Sequence, residues 1–309
     1  MNIGILEPSD FSAIALSQLS KIGNVELFIG NDLHQFLNEK EVLFVRLNFD
    51  IDAKLLSLAP HLKFICSPTT GLNHIDLEYC QVKGIHVLSL KGETDFLNTI
   101  RATPEHTLGL ILALKRNYQS AFLNLENTNW DRNPYRGYEI YGSGIGIIGL
   151  GRVGKILASY LVNMGANVGF YDIDDSIDSG QLKRFATLTD LIEFNQTIVL
   201  CSSYIQENGS IINKEEIERL KGKYFINTAR AELTDEMSLS KMALIGHFKG
   251  IAIDVIQNEQ STQVNLNAWL EAAKKFNVII TPHIGGATYN SMSRTEEFVV
   301  SKLINLIEN

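Results

Sequence analysis

Three segments of the chain each deliver a side chain that could take part in reducing a keto acid. Asn227-Thr228-Ala229-Arg230 ends in an arginine, Asp254-Val255-Ile256-Gln257-Asn258-Glu259 runs from an aspartate to a glutamate, and Thr281-Pro282-His283-Ile284-Gly285-Gly286 carries a histidine. An α-keto acid needs a cation for its carboxylate and a proton for its carbonyl oxygen as hydride arrives. Arginine supplies the first, and a histidine kept protonated by a nearby carboxylate supplies the second near neutral pH. Each segment begins at or just past the end of an apolar run that reads as a β-strand. In open parallel sheets, ligands bind outside the carboxyl ends of the strands, so all three side chains are expected at one edge.

A fourth segment bears on a cofactor. Gly149, Gly151 and Gly154 spell GxGxxG directly after the apolar strand Ile145–Ile148 and before a helical pattern. The first glycine permits a tight turn, the second lets the backbone approach a pyrophosphate, and the third lets the helix pack against the strand. The helix start offers amide groups and a dipole to phosphate. A second strand follows and ends in Tyr171-Asp172, where a carboxylate would accept hydrogen bonds from the adenosine ribose. Asp172 would repel a 2′-phosphate, and Ile173, Asp174 and Asp175 follow it with no adjacent Arg or Lys, so NAD is expected rather than NADP.

The elements that must hold these groups follow from patterning. Short apolar runs at Ile3–Leu6, Val25–Ile29, Val42–Leu47, Phe64–Cys66 and His86–Leu90 alternate with amphipathic stretches near Phe11–Lys21, Leu33–Glu39, Asp52–Leu58 and Asp76–Lys83. That alternation predicts a parallel sheet covered on both faces. A long helix is expected over Ala102–Ser120. A second alternation has strands at Ile145–Ile148, Asn167–Tyr171, Thr197–Cys201, Tyr224–Asn227, Gly250–Val255 and Val278–Thr281, and a helix over Ala287–Glu308 closes the chain. With 309 residues, two α/β domains sharing a cleft are expected. Asp76, Glu105 and His106 read as helix-start and packing residues, and Trp130 and Trp269 as packing residues.

Composition narrows the partners. The net charge of -8 gives no field for holding a phosphate backbone, so nucleic acid is not expected. No apolar stretch is long enough to span a bilayer, and Met1 to Pro8 holds no basic region followed by an apolar run, so a cytoplasmic protein is expected. Cys66, Cys80 and Cys201 form no CxxC pair and read as reduced thiols, with no metal site.

Taken together, Thr69-Thr70-Gly71-Leu72-Asn73-His74-Ile75-Asp76-Leu77, Glu105-His106-Thr107-Leu108, the glycine motif and the arginine and histidine segments resemble the D-isomer-specific 2-hydroxyacid dehydrogenases over nearly the whole chain. The resemblance implies a Rossmann cofactor domain, residues 98–287, inserted into a flavodoxin-like substrate domain, residues 1–97 plus 288–309. Both would be doubly wound parallel sheets, with hinge closure excluding water from the site. It implies Arg230 on the substrate carboxylate and carbonyl, His283 as acid/base, and Glu259 as its orienting partner. It places Gly149, Gly151, Arg152, Val153, Gly154, Asp172, Thr228, Ala229, Asp254 and Gly286 on NAD, with Asp254 at the nicotinamide side. Thr70 and Gly71 would offer backbone amides to a small 2-keto or 2-hydroxy acid, and Arg46 would be a substrate-domain arginine. It implies a homodimer formed by cofactor domains, with the Ala102–Ser120 helix at the interface.

Three departures stand out: Ala231 where the family usually has glycine, Leu200-Cys201-Ser202-Ser203 without the usual proline, and Glu259 followed by Gln260 instead of proline. The family's formate-acting members carry glutamine where Glu259 stands, which disfavours formate. Proteins similar to this family that act as NADH-sensing corepressors, binding peptide partners, are the alternative. Phosphoglycerate, glycerate, lactate-like and sugar-acid substrates all remain open at this stage.

Overall fold

Asn2–Ile5 (β1), Asn24–Leu27 (β2), Val42–Phe44 (β3), Phe64–Cys66 (β4) and His86–Leu88 (β5) pair in parallel in the computed structural model of the chain, in the order β2-β1-β3-β4-β5. The structure describes residues 1–30, 32–124, 126, 130–204, 209–259 and 266–308. The chain divides into two compact units, one of Met1–Ile100 with Ala287–Asn309 and one of Arg101–Gly286.

In the first unit the three central strands are apolar because both faces are covered, as parallel sheets require. One face buries Leu6, Leu43, Val45 and Ile65 with Leu37, Leu55 and Leu56. The other buries Ile3, Ile5, Val42 and Phe44 with Leu19 of Ala13–Ile22 (α1) and with Val299, Val300 and Leu303 of the closing helix Tyr289–Glu308 (α13). The C-terminal helix thus belongs to the core of the N-terminal sheet. Asp76 caps the helix Leu77–Lys83, accepting from the Tyr79 amide at 2.9 Å, and Gly84 ends it in the left-handed conformation.

In the second unit seven strands lie parallel: Gly144–Ile148 (β6), Asn167–Tyr171 (β7), Lys183–Arg184 (β8), Thr197–Leu200 (β9), Tyr224–Asn227 (β10), Gly250–Ile253 (β11) and Val278–Ile280 (β12). Their order is β12-β11-β10-β9-β6-β7-β8, so the chain reverses direction across the sheet at β6. This is the nucleotide-binding arrangement, with its crevice at the carboxyl ends of β6 and β9. Alternate residues divide between two cores. Ile145 and Ile147 pack under Ala102–Lys115 (α6) and Arg152–Asn163 (α8), while Ile148, Ile198 and Leu200 pack on the opposite side. Trp269, fully buried on that second side, lies in the helix Asn267–Lys275, which the patterning did not indicate.

Two expectations need correction. The helix expected over Ala102–Ser120 breaks at Asn117, whose φ of 53° is left-handed, and a short separate helix follows at Tyr118–Leu123. Trp130, read as a packing residue, is 86% exposed.

Candidate active site

The register of the second sheet brings most of the residues singled out above to one edge. In spatial order, His283 follows β12, Asp254 and Glu259 follow β11, Arg230 follows β10, Ser202 follows β9, the glycine turn follows β6 and Asp172 follows β7. The Asp254 amide donates to the Asn227 carbonyl at 2.9 Å, continuing the ladder to the start of these loops.

At the switch point, Gly149 has a φ of 89°, and a Cβ there would stand 2.7 Å from the Ser202 backbone. A Cβ on Gly154 would stand 2.3 Å from the Gly149 carbonyl oxygen, so helix α8 rests directly on the turn. Gly151 differs: nothing lies within 4 Å of its Cβ position, and as N-cap of α8 it provides no side-chain hydrogen bond to the helix amides. The helix start is therefore open to an anion. Burial, with Arg101 nearby, works against the charge on Arg152 at the first position of α8, and negative charge would relieve that repulsion. Val153 follows it in the same turn. Asp172 accepts from the Leu150 amide at 2.7 Å and from the Asp174 amide at 3.0 Å. A carboxylate accepts more than two hydrogen bonds, so capacity remains for ribose hydroxyls. An open glycine cradle at a helix start with an acid beside it fits a dinucleotide. Ser202, within the strand-end run Leu200–Ser203 that lacks the usual proline, lies directly against the Cβ position of Gly149.

Asp254 is the centre of a second cluster. Its Oδ1 accepts from Thr281 Oγ1 at 2.6 Å and from the Ile284 amide at 2.9 Å, and its Oδ2 accepts from the Gly285 amide at 2.8 Å. His106 Nε2, on α6, lies 3.3 Å from the same Oδ1. Burial opposes the charge on Asp254, but the bonds from His106, Thr281 and Ile284 outweigh it and hold the carboxyl below the ordinary range. Asp254 thus clamps the loop that carries His283. The His283 amide donates to the Asp254 carbonyl at 2.8 Å, and its backbone is left-handed, with φ 52°. Such a conformation is uncommon outside glycine and persists where surrounding bonds over-determine it. His283 Nδ1 stands 2.5 Å from Glu259 Oε1, with the two side chains 25% and 29% exposed. Gln260 lies outside the described residues.

Arg230 follows a loop fixed by Asn227, whose side chain accepts from the Ala229 amide and donates to the Arg230 carbonyl, both at 3.0 Å. Its own Nη1 donates to the Ala229 carbonyl at 2.7 Å. Ala231 begins a short 3-10 turn with φ negative, so no glycine is required there. Thr228 Oγ1 lies 2.7 Å from Thr107 Oγ1 of α6. Helix α6 therefore contributes to this edge His106, read above as a helix-start or packing residue, and Thr107, which had no assigned role; the Glu105-His106-Thr107 run was the available signal. Gly286 ends the unit with open space at its Cβ position.

The remaining three residues lie in the first unit. Thr70 is exposed, and Thr69 Oγ1 donates to the Gly71 carbonyl at 2.8 Å, shaping the loop after β4. The Arg46 guanidinium is engaged within its unit: Nε donates to Glu296 Oε1 at 3.1 Å, Nη2 donates to the same oxygen, and Nη1 donates to the Ser9 carbonyl at 2.8 Å. Among the described residues no cluster of His, Cys, Asp and Glu could hold a metal, and no helix is long and apolar enough to cross a membrane.

A reversed parallel sheet with a glycine turn at its switch point and an acid on the neighbouring strand defines a dinucleotide-binding protein. Residues 108–285 match the family described as D-isomer specific 2-hydroxyacid dehydrogenase, NAD binding domain. The chain belongs to that family, whose members are NAD-dependent oxidoreductases, and its cofactor is NAD. It is 31% identical over 286 residues to a glyoxylate reductase of Thermofilum pendens, covering 90% of this chain and 81% of the relative. It is also 31% identical over 259 residues to a D-3-phosphoglycerate dehydrogenase of Mycobacterium tuberculosis, covering 83% of this chain but only 47% of that protein, so the chain spans about half of that relative. The solved D-lactate dehydrogenase of Aquifex aeolicus, complexed with NAD and lactic acid, superimposes with a TM-score of 0.84 at 28% identity, covering 100% of this chain and 96% of that one.

Proposed function

We propose that the chain interconverts a small 2-keto acid and the corresponding D-2-hydroxy acid. The observation that carries this reading is the 2.5 Å approach of Glu259 Oε1 to His283 Nδ1 at the strand edge that also carries Arg230. NADH, when bound, supplies the hydride. Arg230 grips the substrate carboxylate and steadies the carbonyl, using the planar fork of donors that suits a carboxylate. His283 gives its proton to the carbonyl oxygen from Nε2, because Nδ1 is committed to Glu259. Glu259 fixes the tautomer and the ring orientation.

The glycine turn and the α8 amides hold the pyrophosphate, Asp172 holds the adenosine ribose, and Thr228, Ala229, Asp254 and Gly286 line the nicotinamide end. We assign substrate recognition to residues 1–97 with 288–309, through the Thr70–Gly71 amides, and cofactor binding to 98–287. Arg46 is better suited to holding its own unit together, since its donors are taken by Glu296 and Ser9. The reading includes a cytoplasmic homodimer. Tyr118, Phe122, Leu123, Tyr138 and Tyr141, all exposed along one stretch of the cofactor unit, support the dimer, and sedimentation tests it.

The test of the activity is NADH oxidation with glyoxylate, pyruvate, hydroxypyruvate and phosphohydroxypyruvate, followed by NAD reduction with the D- and L-hydroxy acids. Turnover of one or more keto acids with D-selectivity is expected. Tight NADH binding without turnover of any acid overturns the catalytic reading in favour of an NADH-sensing binding protein.

A further inference from the structure

The neighbourhood of Asp172 contains a cation that adjacency in sequence does not reveal. Arg184, twelve residues on, lies in the two-residue edge strand β8, paired with Phe170 of β7. One nitrogen of its guanidinium, Nη2, donates to the Asp172 carbonyl at 2.8 Å, to the Asp174 carbonyl at 3.0 Å and to Asp175 Oδ1 at 2.9 Å. The guanidinium carbon stands 5.4 Å from the centre of the Phe170 ring. The turn beneath it is bound from inside as well. Asp172 Oδ1 accepts from the Asp174 amide at 3.0 Å, and Asp174 Oδ1 accepts from the Ser176 amide at 2.9 Å.

The Asp175 carboxylate is 99% exposed, and an ion pair of that kind contributes little to folding. The edge position of β8 places the arginine at a surface turn, where its guanidinium also covers one side of the buried Phe170 ring. What the three bonds do is local. They fix the backbone that runs on from the Asp172 side chain, through Asp174, and they direct a positive charge onto two carbonyl dipoles and one carboxylate. A cation beside the ribose site would ordinarily favour a cofactor carrying a 2′-phosphate. Here Asp175 and two carbonyl oxygens already face that charge.

We propose that Arg184 is a positioning residue for cofactor selection: it pins the turn that aims Asp172 at the ribose, while Asp175 and two carbonyls absorb its charge and deny it to a 2′-phosphate. This rests on the placement of the adenosine ribose at Asp172 given above. Two consequences differ in sign. Removing the guanidinium loosens the acid that holds the ribose and weakens NADH. Removing the Asp175 charge leaves Arg184 under-neutralised next to the 2′ position and strengthens NADPH while sparing NADH.

Dissociation constants for NADH and NADPH, from nicotinamide fluorescence, together with Tm, test this in wild type, Asp172→Ala, Arg184→Ala and Asp175→Asn. Loss of a charged hydrogen-bonding group predicts an NADH dissociation constant about tenfold higher in Arg184→Ala. In Asp175→Asn, whose exposed side chain cannot upset folding, NADPH should bind several-fold more tightly with NADH within about twofold of wild type. NADH affinity within twofold of wild type in a folded Arg184→Ala overturns the proposal, as does unchanged NADPH affinity in Asp175→Asn. Asp172→Ala separates the two levels. If it moves neither cofactor, the ribose placement fails and takes the proposal with it. If it weakens NADH while the other two variants behave as wild type, the placement stands and Arg184 has no part in selection.

Discussion

Glu259 Oε1 and His283 Nδ1 meet at 2.5 Å across loops that leave two neighbouring strands, β11 and β12. Each loop bends through a left-handed residue at the meeting point, Asn258 with φ 55° and His283 with φ 52°. Backbone geometry as well as rotamer choice thus shapes the approach of the pair.

Turnover should report this pair. Glu259→Gln keeps the shape and one hydrogen bond but deletes the charge. If Glu259 orients the His283 ring, kcat/KM should fall about 10- to 100-fold both for keto-acid reduction and for hydroxy-acid oxidation, while the NADH dissociation constant stays within about twofold of wild type. Steady-state kinetics in both directions with cofactor titration check this, and near-native rates would return Glu259 to solvent.

The glycines of the turn should separate by what their Cβ atoms meet. Gly151→Ala enters open space with φ -72°, so Tm should stay close to wild type. NADH binding should nevertheless weaken at least about tenfold, because the added methyl occupies the cradle that a pyrophosphate approaches. Gly154→Ala meets the Gly149 carbonyl at 2.3 Å, a backbone atom that cannot swing aside, and should cost about 1–3 kcal/mol of stability. Thermal melts with NADH titrations distinguish the two. Equal destabilisation by both would contradict the open cradle.

The α/β class and the strand positions were legible because central parallel strands are continuous apolar runs, as at Val42–Phe44 and Tyr224–Asn227. The edge was legible because chemistry-bearing residues followed those runs. What escaped depended on contacts distant in sequence. His106 looked like one more residue of a mostly buried helix, yet its ring reaches Thr281 Oγ1 at 3.3 Å, 175 positions away. Arg184 was hidden because β8 has only two residues and pairs along one edge, too short for any alternation to register. Where the long helix breaks at Asn117, the Asn277 side chain donates to the Leu114 carbonyl at 2.9 Å, a helix-end partner from a distant loop that no local pattern announces.

Arg230→Lys preserves charge and loses the planar fork. If Arg230 holds the substrate carboxylate, kcat/KM for the keto acid should fall by about a hundredfold, in line with a charged hydrogen bond made in the transition state. The NADH dissociation constant should remain within about twofold, because no part of the glycine turn is altered. Steady-state kinetics with cofactor titration decides the matter. Near-native kinetics would remove Arg230 from the site.

The Arg46–Glu296 pair should show itself in stability and not in catalysis. Glu296 is 0% exposed, and burial raises its carboxyl above the ordinary range against the opposing bonds from the Ser12 amide and Arg46. A carboxyl raised in the folded state binds its proton more tightly there than in the unfolded chain. Its contribution to stability is therefore full below the unfolded value and declines as pH rises through the folded value. Arg46→Met strips the cation and leaves a buried charge, which should cost about 3–5 kcal/mol near pH 8. On acidification Glu296 takes up a proton, the uncompensated charge disappears, and the loss should shrink progressively towards about pH 5. Glu296→Gln in the Arg46→Met background removes the charge at every pH while keeping an acceptor for the Ser12 amide, so it should recover most of the loss at pH 8 and little at pH 5. Urea unfolding of the three proteins at the two pH values measures this. A loss below about 1 kcal/mol, the range of exposed ion pairs, or one that does not change with pH would mean that Arg46 does not neutralise Glu296, and would return its guanidinium to candidacy as a substrate ligand.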